Sequence, residues 1–316
     1  MAACIVSFIN LKGGVGKTTL ALTIGEWLAY VYRKKVLLID LDPQSNLSYG
    51  VLDETTRIRH QRAQSTVYHL FMAALNGTPW DIRGALAQNC SNVVERTQFP
   101  GHMQCLPCVP DLGRLDEEIL ERLERGERLA IDFRGLLRWQ IDRVRNDFDY
   151  IIIDCPPSLS TLTSNALIAS HYFVVPLIPE FLSLEGIQLI QTRITELQTK
   201  RGDLTVQFAG SILNRVDIRR TDHRDQAERV RTRQQAVFKP LTYWLGDWKP
   251  LYIVSDYMYP TAHSIPPIAY GMWTKYGGKF RRRNPLGSAL QIGTSDSFYI
   301  RSRIYELVGE FIGVCR

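Results

Sequence analysis

Little in this chain points to a covalent or metal framework. Its six cysteines are spread over 316 residues, and only Cys105-Leu106-Pro107-Cys108 brings two of them close. With no second pair and no histidine cluster at zinc-like spacing, neither a disulfide scaffold nor a structural zinc site is expected. The first residues, Met1 to Ile9, carry no basic leader, which argues against a secretory signal. The longest apolar stretch, Ala166 to Pro179, contains His171, Pro176 and Pro179 and is too short to span a bilayer. Internal repeats and low-complexity segments are also missing, so no array or biased tail is implied. No helix-turn-helix precedes the first strand, which sets aside sequence-specific operator reading. A reducing, cytoplasmic setting fits these absences.

What is present reads as a soluble α/β protein. Hydrophobic residues make up 45% and charged residues 22%, ordinary values for a globular chain. A chain of this length can bury a sizeable core without a metal or disulfide. The net charge of +6 is compatible with a polyanionic partner, or with no partner at all. Apolar runs at Ile5–Ile9, Val36–Ile39, Tyr150–Ile153, Tyr172–Leu177 and Phe208–Leu213 lack alternation and predict strands buried on both faces. A helix is predicted from about Lys17 to Tyr32, with Leu20, Ile24, Trp27, Leu28 and Val31 at helical spacing. The expected fold is therefore α/β: a doubly wound, mostly parallel sheet with helices on both faces. Polar residues stand just past the strand ends, at Asp40, Asp154 and Asn214, where open α/β sheets bind ligands. We expect a single domain over residues 1–316, with the doubly wound part reaching about 230. An aromatic and basic elaboration follows at about 235–295, then a closing helix at about 298–312 with Ile300, Ile304, Leu307, Val308 and Phe311 on one face.

The strongest chemical signal is Lys12-Gly13-Gly14-Val15-Gly16-Lys17-Thr18-Thr19, between the first strand and the first helix. Glycines at 13, 14 and 16 let backbone N–H groups turn inward around phosphate oxygens. The helix that follows aims its positive end at the same anion. Lys17 supplies a cation for β- and γ-phosphates, and the Thr18 hydroxyl is placed to ligate Mg²⁺. In the ordinary G-x-x-x-x-G-K-[ST] pattern the first glycine would fall at Leu11, so that pattern fails, and a lysine stands at Lys12 instead.

K-G-G-V-G-K-T-T resembles the deviant Walker A loop of the ParA/MinD family, which includes plasmid- and chromosome-partition ATPases. The resemblance implies that Lys12 reaches the phosphates of a partner subunit across a nucleotide-sandwich dimer. Asp40-Leu41-Asp42-Pro43-Gln44 resembles the family's D-x-D-P-Q segment, which implies that Asp42 orients the attacking water and stands on the metal side of the site. Tyr150 to Ser158, with Asp154-Cys155-Pro156-Pro157, is similar to its Walker B and switch II, which makes Asp154 a Mg²⁺ support. Asp154–Leu167 and Pro176–Ile187 are similar to the partition branch, and Gly210–Arg215 to the late strand, where Asn214 would read the adenine edge. The implied cofactors are ATP and Mg²⁺, bound by Gly13, Gly14, Val15, Gly16, Lys17, Thr18 and Thr19, with Lys12, Lys17 and Asp42 as the catalytic set. The resemblance covers roughly residues 3 to 230 and fades afterwards.

That family also implies a homodimer formed on ATP, non-specific DNA binding, and slow hydrolysis stimulated by a ParB-like protein. Candidate DNA contacts are Arg219, Arg220 and Arg224, interleaved with acids, and the uninterrupted run Lys279, Arg281, Arg282 and Arg283 around Phe280. The competing reading of both runs is a solvated surface. Two alternatives stay open: a MinD-like membrane-associated positioning ATPase, and a nucleotide-gated protein-interaction module without DNA affinity. The closing helix argues against the membrane, because Glu306 and Glu310 dilute its positive side.

Overall fold

Every residue of β1 (Cys4–Phe8), β2 (Val36–Asp40) and β4 (Tyr150–Asp154) is buried. Their side chains divide by parity between the two faces of one sheet. Leu37, Ile39, Ile151 and Ile153 join one apolar cluster, while Val36, Leu38 and Ile152 join the other. Each such side chain contributes roughly 1.5–3 kcal/mol by leaving water. This two-sided burial explains why the strands read as nearly continuous apolar runs without alternation, with Ser7 the one polar residue inside β1. The computed structural model describes residues 2–88, 90, 103–127, 133–179, 183–201, 204–214, 221–237, 243–244 and 307–315.

With β3 (Met103–Leu106), β5 (Tyr172–Leu177), β6 (Gln207–Leu213) and β7 (Tyr243–Trp244), the strands pair in the order β3-β2-β4-β1-β5-β6-β7. Every pairing between named strands is parallel. β1 is thus central, and its carboxyl end opens between β4 and β5, as a doubly wound sheet requires for a ligand crevice.

Helices cover both faces. Helix α1 (Lys17–Tyr30) and the helical residues 307–314 pack on one, where Phe311 lies 6.3 Å from the Phe8 ring and 6.0 Å from that of Tyr150. The closing helix therefore spends Leu307, Val308 and Phe311 on the sheet; its predicted start at 298 lies outside the described residues. Between β2 and β4 come α2 (Asn46–Val51), α3 (Glu54–Arg62), α4 (Val67–Asn76), α5 (Leu115–Glu124) and α6 (Leu136–Ile141). After β4 follow α7 (Thr161–Ala169), α8 (Ser183–Arg201) and α9 (Thr221–Val237). Among the described residues, no helix is long and apolar enough to cross a membrane.

The structure adjusts several sequence expectations. Helix α1 stops at Tyr30, not Tyr32, because Val31 and Tyr32 both donate to the Trp27 carbonyl and Arg33 turns left-handed at φ 54°. Strands β3 and β7 were not foreseen. β3 is only four residues long and carries a half-exposed Gln104, too short for a periodicity signal, and β7 falls in the stretch expected to be an aromatic and basic elaboration. Most of the proposed 235–295 elaboration lies outside the described residues.

Candidate functional site

The loop after β1 turns on its glycines. Gly14 and Gly16 hold φ of +75° and +94°, a region that costs other residues a steric penalty. Nothing lies within 4 Å of where a Cβ would stand at Gly13 or Gly14. The backbone there is open to an anion, while Val15, between Gly14 and Gly16, is buried and anchors the loop. Asn10 fastens the loop at its entry: its amide nitrogen donates to the Pro176 carbonyl at 2.6 Å, and its oxygen accepts from the Lys12 amide at 2.9 Å. At the other end, the buried Asn214 amide donates to the Val15 carbonyl at 2.9 Å. A Cβ on Gly16 would run into that same amide nitrogen.

Lys17 opens α1 with its side chain buried, and its ammonium donates to the Lys12 carbonyl at 3.4 Å. Lys12 itself is exposed at the tip of the loop. Opposite stand three carboxylates. Asp40 and Asp154 are register partners at the adjacent ends of β2 and β4, and Asp42 lies just beyond β2. Burial is the largest influence on each and pushes all three above the usual carboxylate range, Asp40 to about 7. Burial likewise lowers Lys17, against the pull of Asp154 and Asp42.

The carboxylates differ in what satisfies them. Asp40 accepts from the Ser48 amide, the Ser48 hydroxyl and the Asp42 amide, at 2.8, 2.7 and 3.2 Å. Asp42 accepts from the Gln44 amide at 3.0 Å. Asp154 is fully buried, and neither of its oxygens has a hydrogen-bond partner of good geometry, although the nearby Thr18 hydroxyl eases its charge somewhat. A buried carboxylate left this way is costly unless a ligand completes it. Oxygen donors from Asp154, Asp42 and Thr18 beside an open amide cradle fit a hard divalent cation held together with a polyanion.

The structure thus brings together Lys17, Thr18, Asp42 and Asp154 from three separate strand ends, as the sequence motifs imply. Asn214 joins them through the loop, a contact its own neighbours in sequence do not signal. Asn10, Ser48 and Cys108 are further supports that the sequence reading passed over; only the position of Asn10, directly before the loop, hinted at its part. Arg224 lies on α9, while Arg219, Arg220, Lys279, Arg281, Arg282 and Arg283 lie outside the described residues. Cys105 and Cys108 are buried, and burial pushes both thiols well above their ordinary range.

Comparison with known proteins bears on this arrangement. A family model described as an AAA domain matches residues 3–206. The sporulation initiation inhibitor protein Soj of Bacillus subtilis is 32% identical over 216 residues, 68% of this chain and 74% of that one. The chromosome partitioning protein ParA of Caulobacter vibrioides is 33% identical over 230 residues, 72% of this chain and 75% of that one. Among solved structures, a putative plasmid partition protein from Borrelia burgdorferi bound to AMPPNP superposes with a TM-score of 0.63 at 18% identity, covering 99% of each chain. At that identity the last likeness speaks for the fold alone.

Proposed function

This chain belongs to the ParA/MinD family of P-loop ATPases, in its ParA-like branch, and from that premise we propose that it uses ATP and Mg²⁺ to drive a dimerisation switch that binds DNA without sequence preference. The observation that supports the nucleotide and metal part of the reading is the pairing of an open glycine cradle with Asp154, a buried carboxylate lacking a hydrogen-bond partner of good geometry. The cradle and Lys17 would hold the phosphates, and Thr18, Asp42 and Asp154 would supply oxygens to the metal. When bound, Mg²⁺ supplies positive charge to the phosphate oxygens.

The chain's own residues then do little covalent work. Lys17 offsets charge on the transferring phosphoryl group, and Asp42 orients the attacking water, since positioning and charge stabilisation dominate such reactions. Lys12, exposed at the loop tip, is available to the nucleotide of a second copy, where it would act as an arginine finger does. An adenine-reading role for Asn214 would add to the bond its amide makes to Val15. Turnover is expected to be slow and raised by a ParB-like partner. Arg224 and the basic residues at 219, 220, 279 and 281–283 are the proposed DNA contacts.

The test is DNA binding by the purified chain with ATP, with ADP and without nucleotide, across a salt series. Binding that needs ATP, ignores sequence and weakens steeply with salt supports the partition-type cycle. ATP turnover with no DNA binding at any salt would discard the DNA part and favour a nucleotide-gated protein-interaction module. Against a membrane role stands the closing helix, whose Leu307, Val308 and Phe311 are already buried against the sheet.

A further inference from the structure

The segment that follows Asp42 carries a buried hydroxyl with an unusual pair of partners. Ser48 lies inside α2 and is fully buried with Leu47 beside it. Its hydroxyl donates to Asp40 at 2.7 Å and accepts from the Cys108 amide at 2.9 Å. Asp40 meanwhile uses its other oxygen to accept from the Asp42 backbone amide at 3.2 Å. A continuous chain thus runs from the loop after β3, through Ser48 and Asp40, to Asp42. The same stretch passes close to this segment again at Gly113, where an added Cβ would meet that of Pro43 at 3.4 Å.

We propose that Ser48 is a positioning residue for ATP hydrolysis, fixing Asp42 through the Asp40 carboxylate and using the loop after β3 as its platform. The inference rests on the ATPase reading above and deepens it. The physical reason is the geometry of Asp40, which is shared between two tasks. One oxygen holds α2 through the Ser48 amide and hydroxyl, and the other holds the Asp42 amide. Removing the hydroxyl deprives a fully buried carboxylate of its closest donor, at 2.7 Å. That oxygen is then left with the Ser48 amide alone, and the less firmly fixed carboxylate loosens its grip on Asp42. A shift of about 1 Å in a water-orienting group can cost on the order of a hundredfold in rate. The partners of Ser48 are Asp40 and the Cys108 amide rather than the glycine cradle, so phosphate binding should be spared.

The experiment compares Ser48→Ala, the near-isosteric Ser48→Cys and the hydroxyl-keeping Ser48→Thr in the full chain. For each, kcat and KM for Mg·ATP are measured, together with affinity for a non-hydrolysable ATP analogue and the thermal midpoint. Ser48→Ala and Ser48→Cys are expected to lower kcat about tenfold or more, with KM and analogue affinity within about twofold of the unaltered chain. Ser48→Thr should recover most of the rate. If Ser48→Ala fails to fold, the decision passes to Ser48→Cys, which keeps the volume and weakens only the bond. Unchanged kcat in a folded Ser48→Cys overturns the inference, as does a parallel loss of kcat and analogue affinity. Absence of any turnover by the unaltered chain sinks the ATPase reading and this inference with it, whereas turnover indifferent to Ser48 sinks this inference alone.

Discussion

At the scale of single residues, the site is held in an uncomfortable state that a ligand would relieve. Asp154 is fully buried without a hydrogen-bond partner of good geometry, and the nearby Lys17 ammonium offsets its charge only in part, so that charge destabilises the chain when no metal ion is bound. Asp154→Ala should therefore raise the thermal midpoint at pH 8 in a chelator, by a shift that corresponds to about 1–3 kcal/mol of stability. With Mg·ATP the order should reverse, because only the unaltered chain gains from the ligand. A lower midpoint for the variant in chelator would contradict this account. Asp40 makes a related prediction. Burial raises it to about 7 in the folded chain, against roughly 3.9 when unfolded. Between those values the native chain keeps a proton that the unfolded chain has released, so stability falls as pH rises from about 4 to about 7. Urea midpoints measured across that window in chelator should show the fall, and Asp40→Asn should flatten it. A midpoint that climbs through this window in the unaltered chain, with no flattening in the variant, would contradict the buried-charge account of Asp40.

At the scale of elements, the glycine loop is shaped by strands that are distant in sequence. Gly16 sits at φ +94° with the Asn214 amide against it, and Asn214 is delivered by the end of β6. Gly16→Ala faces both a left-handed backbone and that amide. The expected result is loss of nucleotide binding by at least about tenfold, with about 1–3 kcal/mol less stability. Calorimetric titration with the ATP analogue would measure the first and denaturant unfolding the second; wild-type affinity would show that the loop does not depend on this contact. Helix α1 illustrates the opposite case, since its apolar spacing alone was enough to place it, apart from two residues at its end. β3 was hidden because four residues with one polar member carry no period, and only its pairing with β2 makes it a strand.

At the scale of the whole molecule, the exposed Lys12 separates what one chain does from what two would do. Lys17 is buried beside its own acids, whereas Lys12 stands at the surface of the loop. Lys12→Ala should leave analogue affinity of the single chain within about threefold and abolish ATP-dependent dimers, as read by light scattering with and without nucleotide. Dimers that persist in the variant would remove the residue from the subunit contact. If the proposed DNA binding is a property of the dimer, it should disappear with it, because a dimer would double the number of phosphate contacts and so hold at higher salt.

The local sequence by itself determined the glycine loop, the parallel α/β class and the three acids at strand ends. Each of these is written in contiguous residues: backbone freedom at Gly13, Gly14 and Gly16, apolar runs without alternation in β1, β2 and β4, and a carboxylate at or just beyond a strand end. Only the tertiary structure decided which groups support them. Asn214 reaches Val15 from 199 residues away, Asn10 reaches Pro176 from 166, and Ser48 meets Cys108 from 60. Such contacts leave no local period or motif, because they arise when crossover connections bring the ends of parallel strands side by side. The chemistry was legible in short segments, and its positioning came from the sheet that assembles them.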